Sequence, residues 1–223
     1  MSEIMLFHGS EYIIRNPEYG KGYIHNDYGQ GFYCTEHIEL AKEWACTKDH
    51  GGYANIYSFD MDGLEVLNLS DDNYHILNWL AVLLDNRIFS INSSLKREAR
   101  DYIVSEFMPN YKNADIMIGY RADDSYFSFA NAFISNSISL RQLSKAMHLG
   151  NLGEQIVLKS KIAFDHIRFT DYVVVDWNEY YEKRKARDDE ARIAFQSEKA
   201  NIADDIYLID IIRHGWRDEY ACI

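Results

Sequence analysis

The chain predicts an α+β fold, and three features carry that expectation. Short apolar runs of strand character stand near both ends, helical stripes are grouped between them, and the composition turns charged and helical after Asn178. At 223 residues the chain suits one domain with an appendage and can bury a sizeable core. The expected organisation is a body, residues 1–177, and a C-terminal helical extension, residues 178–223, packing back on it.

Residues 4–8 (Ile-Met-Leu-Phe-His) read as a short buried strand ending on a histidine. The Gly-, Tyr-, Asn- and Asp-rich stretch 11–35 is a loop leading into a short strand at 32–35. Ile38, Leu40, Ala41, Trp44 and Ala45 form a helical stripe over 36–48, with Thr35 at the N-cap position and Gly51-Gly52 as its stop. Residues 55–59 and 65–69 read as two strands around an Asp62-Gly63 turn. Asp71-Asp72 cap a helix over 73–89, and a second helix over 94–108 ends at Pro109. A brief strand at 115–119, short helices at 123–133 and 140–149, and strands at 155–159, 166–169 and 172–177 follow. Residues 179–203 form a charged helix, and the apolar 206–216 segment returns to the body.

The composition, 47% apolar and 14% aromatic with two prolines, is that of a globular chain. Most of the 17 tyrosines fit half-buried strand surface, and a few fit the lining of a cleft. A formal charge of −12 argues against broad, unspecific binding to a phosphate backbone, while leaving room for one basic pocket that takes a small dinucleotide. Cys34, Cys46 and Cys222 are odd in number and far apart, so neither a disulfide framework nor a zinc site is expected. Free thiols point to a cytoplasmic protein. The N-terminus lacks a basic start, and no stretch approaches the roughly 20 apolar residues of a membrane span. No metal and no membrane partner are expected.

Three segments carry residues suited to chemistry. At His8-Gly9 a strand-end imidazole is followed by a residue without a Cβ, so the backbone can approach a flat ligand while the ring donates a hydrogen bond to it. Gly29-Gln30-Gly31-Phe32-Tyr33 is a glycine turn that presents Tyr33 as a stacking face; it is neither a GxGxxG fingerprint nor a P-loop. Glu154, in Gly153-Glu154-Gln155-Ile156-Val157, stands at the mouth of a strand, where a carboxylate can face a cleft. Taken singly, each segment fits packing as well as function.

Taken together, in this order, they resemble the His–Tyr–Glu ADP-ribosyltransferases, on the poly(ADP-ribose)-polymerase and diphtheria-toxin side of that superfamily. More narrowly, the chain is similar to a family of uncharacterised bacterial proteins assigned to the superfamily. That likeness takes in Asp27-Tyr28-Gly29-Gln30-Gly31-Phe32-Tyr33-x-Thr35, Ala122-Asp123-Asp124-Ser125-Tyr126-Phe127 and residues 155–169, and covers roughly residues 4–175. The resemblance implies a split, mixed and antiparallel β core with peripheral helices, and NAD as co-substrate. It implies that His8 hydrogen-bonds the NAD ribose, that the Gly9 backbone grips the carboxamide and that Tyr33 stacks on nicotinamide. Glu154 would bond a ribose hydroxyl and offset the developing cation. Ser10, Gly31, Phe32 and Thr35 would complete the NAD site, Lys42 would lie along the cleft, and Arg121 would meet the pyrophosphate. Asp123 and Asp124 either orient an acceptor or cap the following helix.

The activity implied is mono-ADP-ribosyl transfer to an unknown protein or nucleic acid, as the toxin of a toxin–antitoxin or phage-defence pair, with a small antitoxin protein as partner. NAD glycohydrolysis and a silent nucleotide- or protein-binding module are the rivals on the same fold. The charged C-terminal helices serve either as a partner surface or as core support.

Overall fold

The fold is built on two sheets that touch at one point. The computed structural model describes residues 3–122, 124–149, 153–197 and 205–218. In the first sheet, β1 (Glu3–Ser10), β3 (Gly52–Asp60) and β7 (Ile167–Val175) run antiparallel in the order β1-β3-β7. In the second, β2 (Phe32–Cys34), β6 (Glu154–Leu158), β5 (Ile116–Tyr120) and β4 (Val66–Asn68) stand in the order β2-β6-β5-β4, with only β4 and β5 parallel. Among the described residues a single bridge joins the sheets. Phe7 N–H donates to Thr35 O at 2.8 Å, and Thr35 N–H donates to Phe7 O at 3.0 Å.

Among the described residues there are eight helices: α1 (Ile38–Ala45), α2 (Ile76–Asn86), α3 (Ser94–Phe107), α4 (Asp124–Ile134), α5 (Leu140–Met147), α6 (Lys161–Asp165), α7 (Trp177–Ser197) and α8 (Leu208–Arg213). The fold class is thus α+β, as expected. Leu6, Phe32, Cys34, Tyr57 and Ile156 fill the space between the sheets. A larger core lies on the other side of the second sheet, where Trp79, Leu80, Phe107, Tyr126 and Phe133 pack against Met117 and Val157. Small residues (Ala41, Ala45, Ala54) let α1 lie close on β1 and β3.

Several expectations need correction. The two strands expected around Asp62-Gly63 are present as β3 and β4, but they join different sheets, so the turn carries the chain between layers. The two strands expected over 166–177 are one strand, β7, whose register against β3 shifts between Ile56 and Tyr57. A bulge preserves the pairing across that irregularity. His37, not Thr35, holds the N-cap of α1, and the Thr35 hydroxyl instead accepts from His37 N–H at 3.2 Å. His75, not Asp71-Asp72, caps α2, in a reciprocal box with Asn78. Asp71 serves a turn before the helix, accepting from Asn68 Nδ2 at 2.8 Å. Cys34 and Cys46 are buried free thiols. Cys222, Asp123 and the end of the expected 179–203 helix lie outside the described residues.

The extension is continuous with the core. Ala191, Leu208 and Ile211 are buried in the larger cluster, and the Phe195 ring meets Phe129 at 4.2 Å between centroids. Core support is therefore one role of this segment. Ile211→Ala is expected to lower the free energy of unfolding by about 2–4 kcal/mol in urea titration. A loss below about 0.5 kcal/mol would show that the extension is dispensable to the core.

Candidate active site

Beyond the Phe7–Thr35 bridge β1 and β2 part, and a cleft of ≈ 640 Å³ opens between them. Backbone hydrogen bonds alternate sides along an antiparallel strand, so Gly9, two residues after Phe7, turns its N–H and C=O to the edge that β2 has left. The absence of a Cβ there serves α1. A Cβ at Gly9 would overlap the Ala41 carbonyl oxygen and lie 2.6 Å from Ala45 N. Glycine thus lets the helix sit against β1 and bring Trp44 into the cleft beside His8. The Trp44 indole Nε1 is buried without a hydrogen-bond partner among the described residues. A buried N–H of this kind is costly unless a ligand accepts from it.

The His8 ring stacks on Phe32 at 4.4 Å, and its Nδ1 lies 2.6 Å from Tyr33 O. Burial lowers the His8 pKa, and the bond to the Tyr33 carbonyl only partly opposes that. The ring is therefore neutral near pH 7. A carbonyl only accepts, so Nδ1 carries the hydrogen and Nε2 offers a lone pair. Toward a ligand hydroxyl His8 is an acceptor, where the sequence suggested a donor.

Tyr33 lines the same cleft, but its hydroxyl is committed to the glycine turn. It donates to Gly29 O at 2.6 Å and accepts from Tyr28 N–H at 3.1 Å. Lys159 Nζ, just past the end of β6, grips the same turn, donating to Tyr28 O and, at 2.8 Å, to Gln30 O. No carboxylate pairs with this lysine among the described residues, and burial depresses its pKa to about 8. Gly31 is required by close approach, since a Cβ would lie 2.6 Å from Val157 Cγ1 and 2.8 Å from Leu158 O. Gly29 has φ +74, the left-handed region that glycine tolerates.

At one wall stands Asp27, buried and held by three donors. Arg87 Nη1 (2.8 Å), Ala122 N–H (2.8 Å) and Gln155 Nε2 (3.0 Å) all point at its carboxylate. Burial nonetheless raises its pKa, with these partners pulling the other way. Arg87 also lies 4.5 Å over the Phe127 ring, and Arg121 lies 4.1 Å over Trp44, so two cations face the cleft. Asn55, fully buried, ties the covering loop to β1: its Oδ1 accepts from Ile14 N–H and its Nδ2 donates to His8 O and Tyr12 O.

The remaining expected site residues are dispersed. Glu154 opens β6 and is exposed. It does not line the cleft, although Gln155 beside it does, as does Arg121 next to its cross-strand partner Tyr120. Strand alternation puts Glu154 on the face shared by Ile156 and Phe32, the face on which His8 stacks, whereas Tyr33 pairs with Val157 on the other face. A Cβ on Gly153 would come within 3.0 Å of His37, so Glu154 enters the strand beside the start of α1. Lys42 does not reach the cleft. It bonds Glu39 at 2.6 Å and the Tyr180 hydroxyl at 3.2 Å, on the side facing α7. The Ser10 hydroxyl donates to Tyr12 O, and Thr35 is fully buried at the sheet bridge. Asp124 begins α4, but Asp123 lies outside the described residues. Trp44, Asp27, Arg87 and Gln155 enter from packing. Trp44 was legible only as part of an apolar helical stripe, and Asp27 only as the first residue of the 27–35 motif.

A family model described as a protein of unknown function (DUF3990) matches residues 4–169, and the chain belongs to that family. No curated protein and no solved structure matches the chain. Among the described residues no group of three or more His, Cys, Asp or Glu is placed to hold a metal ion, and no helix is long and apolar enough to cross a membrane.

The lowered His8 pKa fixes a pH dependence. Unfolded, the ring takes a proton as pH falls through about 6.5; folded, it does so only at lower pH. Its contribution is complete at neutral pH and is lost below about 6.5, by at most about 1.4 kcal/mol per pH unit. His75, also lowered by burial, adds a slope of the same sign. Urea titrations at pH 7 and pH 5 are therefore expected to show a smaller acid loss in His8→Gln than in the wild type, and equal losses would contradict the assignment.

Proposed function

We propose that this member of the DUF3990 family is an NAD-dependent mono-ADP-ribosyltransferase with the split β core of that superfamily. The observation that carries the proposal is the convergence of His8, the free backbone edge of Gly9, Tyr33 and Trp44 on one cleft at the fork between the sheets. Two cations at one wall suit a dinucleotide pyrophosphate, and the buried Trp44 Nε1 supplies a donor that a bound ligand would satisfy.

In transfer, the bond between the nicotinamide nitrogen and ribose C1′ breaks and its electron pair leaves on nicotinamide. A lone pair of the acceptor forms the new bond to C1′, and the acceptor gives up its proton. The transition state carries positive charge on the ribose, so the site must hold nicotinamide flat and stabilise that charge. Gly9 N–H and C=O hold the carboxamide, with Trp44 and Tyr33 as the aromatic wall. His8 Nε2 accepts from a ribose hydroxyl. Arg87 and Arg121 face the pyrophosphate. Glu154, on the His8 face of the second sheet, offsets the ribose cation and orients the incoming nucleophile from the rim. The cellular form of the proposal is a bacterial toxin acting on a macromolecule and restrained by a small antitoxin protein. The exposure of Glu154 favours one second reading, NAD glycohydrolysis with water as acceptor.

Incubating the protein with labelled NAD and cell lysate tests these readings. Label on macromolecules that Glu154→Gln reduces by at least about a hundredfold is the expected outcome. Release of nicotinamide without labelled product would replace transfer by hydrolysis, and NAD that neither binds nor reacts would end the enzymatic reading. Trp44→Ala is expected to weaken NAD binding by about tenfold, the contribution of one stacked ring; calorimetric titration reads this directly.

A further inference from the structure

A second groove, of ≈ 460 Å³, adjoins the cleft across the loop of residues 11–31. Asn16 and Pro17 line both cavities. Phe32, which lines the cleft, and Phe164, which lines the groove, stand 6.2 Å apart between ring centroids. One aromatic layer thus separates the two spaces.

The groove has the opposite electrostatic character to the chain. Arg15 and Arg168 both line it, both are exposed, and neither has a carboxylate partner among the described residues. Several arginines elsewhere sit in ion pairs instead: Arg141 with Asp205, Arg187 with Glu43 and Arg192 with Asp188. On a chain of net charge −12, two guanidinium groups left unpaired in one groove make a local site for an anion. The groove also offers flat apolar faces. Phe164 and Phe169 are half-buried in its wall, the Arg15 guanidinium sits 5.0 Å over the Phe169 ring, and Tyr19, 57% exposed, meets Phe164 edge-on at 5.7 Å.

Guanidinium groups beside partly exposed aromatic rings recognise a phosphate followed by a stacking base, whereas a phosphorylated side chain needs the arginines alone. We propose that this groove is the acceptor subsite, and that it takes a nucleotide of a single-stranded nucleic acid, with the phosphate on Arg15 and Arg168 and the base against Phe164 and Phe169. The proposal rests on the ADP-ribosyltransferase reading, because the shared wall then sets the acceptor at the mouth of the NAD cleft. The overall acidity of the chain restricts contact to these few groups, so binding is short in footprint and not spread along a backbone.

The test uses the full chain and a short fluorescein-labelled single-stranded RNA or DNA of mixed sequence, followed by anisotropy. Saturable binding is expected, with log K falling against log salt at a slope of about −1.4, the value for two phosphate contacts on a single strand. The double variant Arg15→Glu/Arg168→Glu is expected to bind about tenfold more weakly or worse, and to lose transfer of label from NAD to the oligonucleotide. Its melting temperature and nicotinamide release stay unchanged. If the double variant fails to fold, Arg168→Gln alone, at an exposed position, is expected to weaken binding in the same direction. Wild-type protein that binds no oligonucleotide, variants that bind equally well, or label that moves only onto lysate polypeptides overturns the proposal. Nicotinamide release without oligonucleotide binding defeats the groove and leaves the NAD reading standing. Absence of nicotinamide release defeats the NAD reading, and anisotropy still decides whether the groove binds nucleic acid.

Discussion

A buried carboxylate gathers the parts of this molecule that matter most. Asp27 receives Arg87 from the end of α2, Ala122 N–H from the turn after β5, and Gln155 from β6, while belonging itself to the loop that covers the cleft. Taking a charge out of water costs several kcal/mol, and burial does raise the Asp27 pKa, so the site holds only because all three donors are in place. Truncating any one of them would leave the others facing an incompletely compensated charge. Four segments distant in sequence are thereby held in one geometry, and the cleft wall is their common surface.

The wall beyond Asp27 is held by the same kind of polar economy. Tyr28, its chain neighbour, donates through its hydroxyl to Tyr120 O, which also receives Trp79 Nε1. The carbonyls of Tyr28, Gly29 and Gln30 turn inward onto Lys159 and the Tyr33 hydroxyl. A cation solvated by carbonyls in place of a carboxylate makes the glycine turn a rigid feature. For the proposed transfer a rigid wall is an advantage, because its ordering is complete before a ligand arrives. The neutral His8 belongs to the same arrangement, with its tautomer set by the Tyr33 carbonyl.

Much of the architecture was legible in local pattern. The first strand, the α1 stripe, the paired glycines before Tyr33 and the late strand at Gln155 follow from periodicity of two or of 3.6 residues and from turn chemistry. The errors share one cause. Asp62-Gly63 is legible as a turn because turn chemistry is local, whereas the sheet each flanking strand joins depends on partners far along the chain. The helix caps at His37 and His75 are not legible in the sequence, because acidic and hydroxyl residues nearby are chemically better candidates. The β7 bulge is invisible without β3 beside it.

The candidate site divides in the same way. The order of His8-Gly9, the 29–35 turn and Gly153-Glu154 carried the resemblance that places them at one site, and local pattern gave an α+β protein with a charged helical end. Packing decided which of them do meet, and with what company. It brought Trp44 in from a stripe that reads as core, because a glycine on β1 makes room for α1. It turned Lys42 toward Tyr180 and left Glu154 at the rim with Gln155 in the wall. The reason is physical: spacing along a chain specifies which face of an element a side chain leaves, but only the contacts between elements specify what that face looks onto.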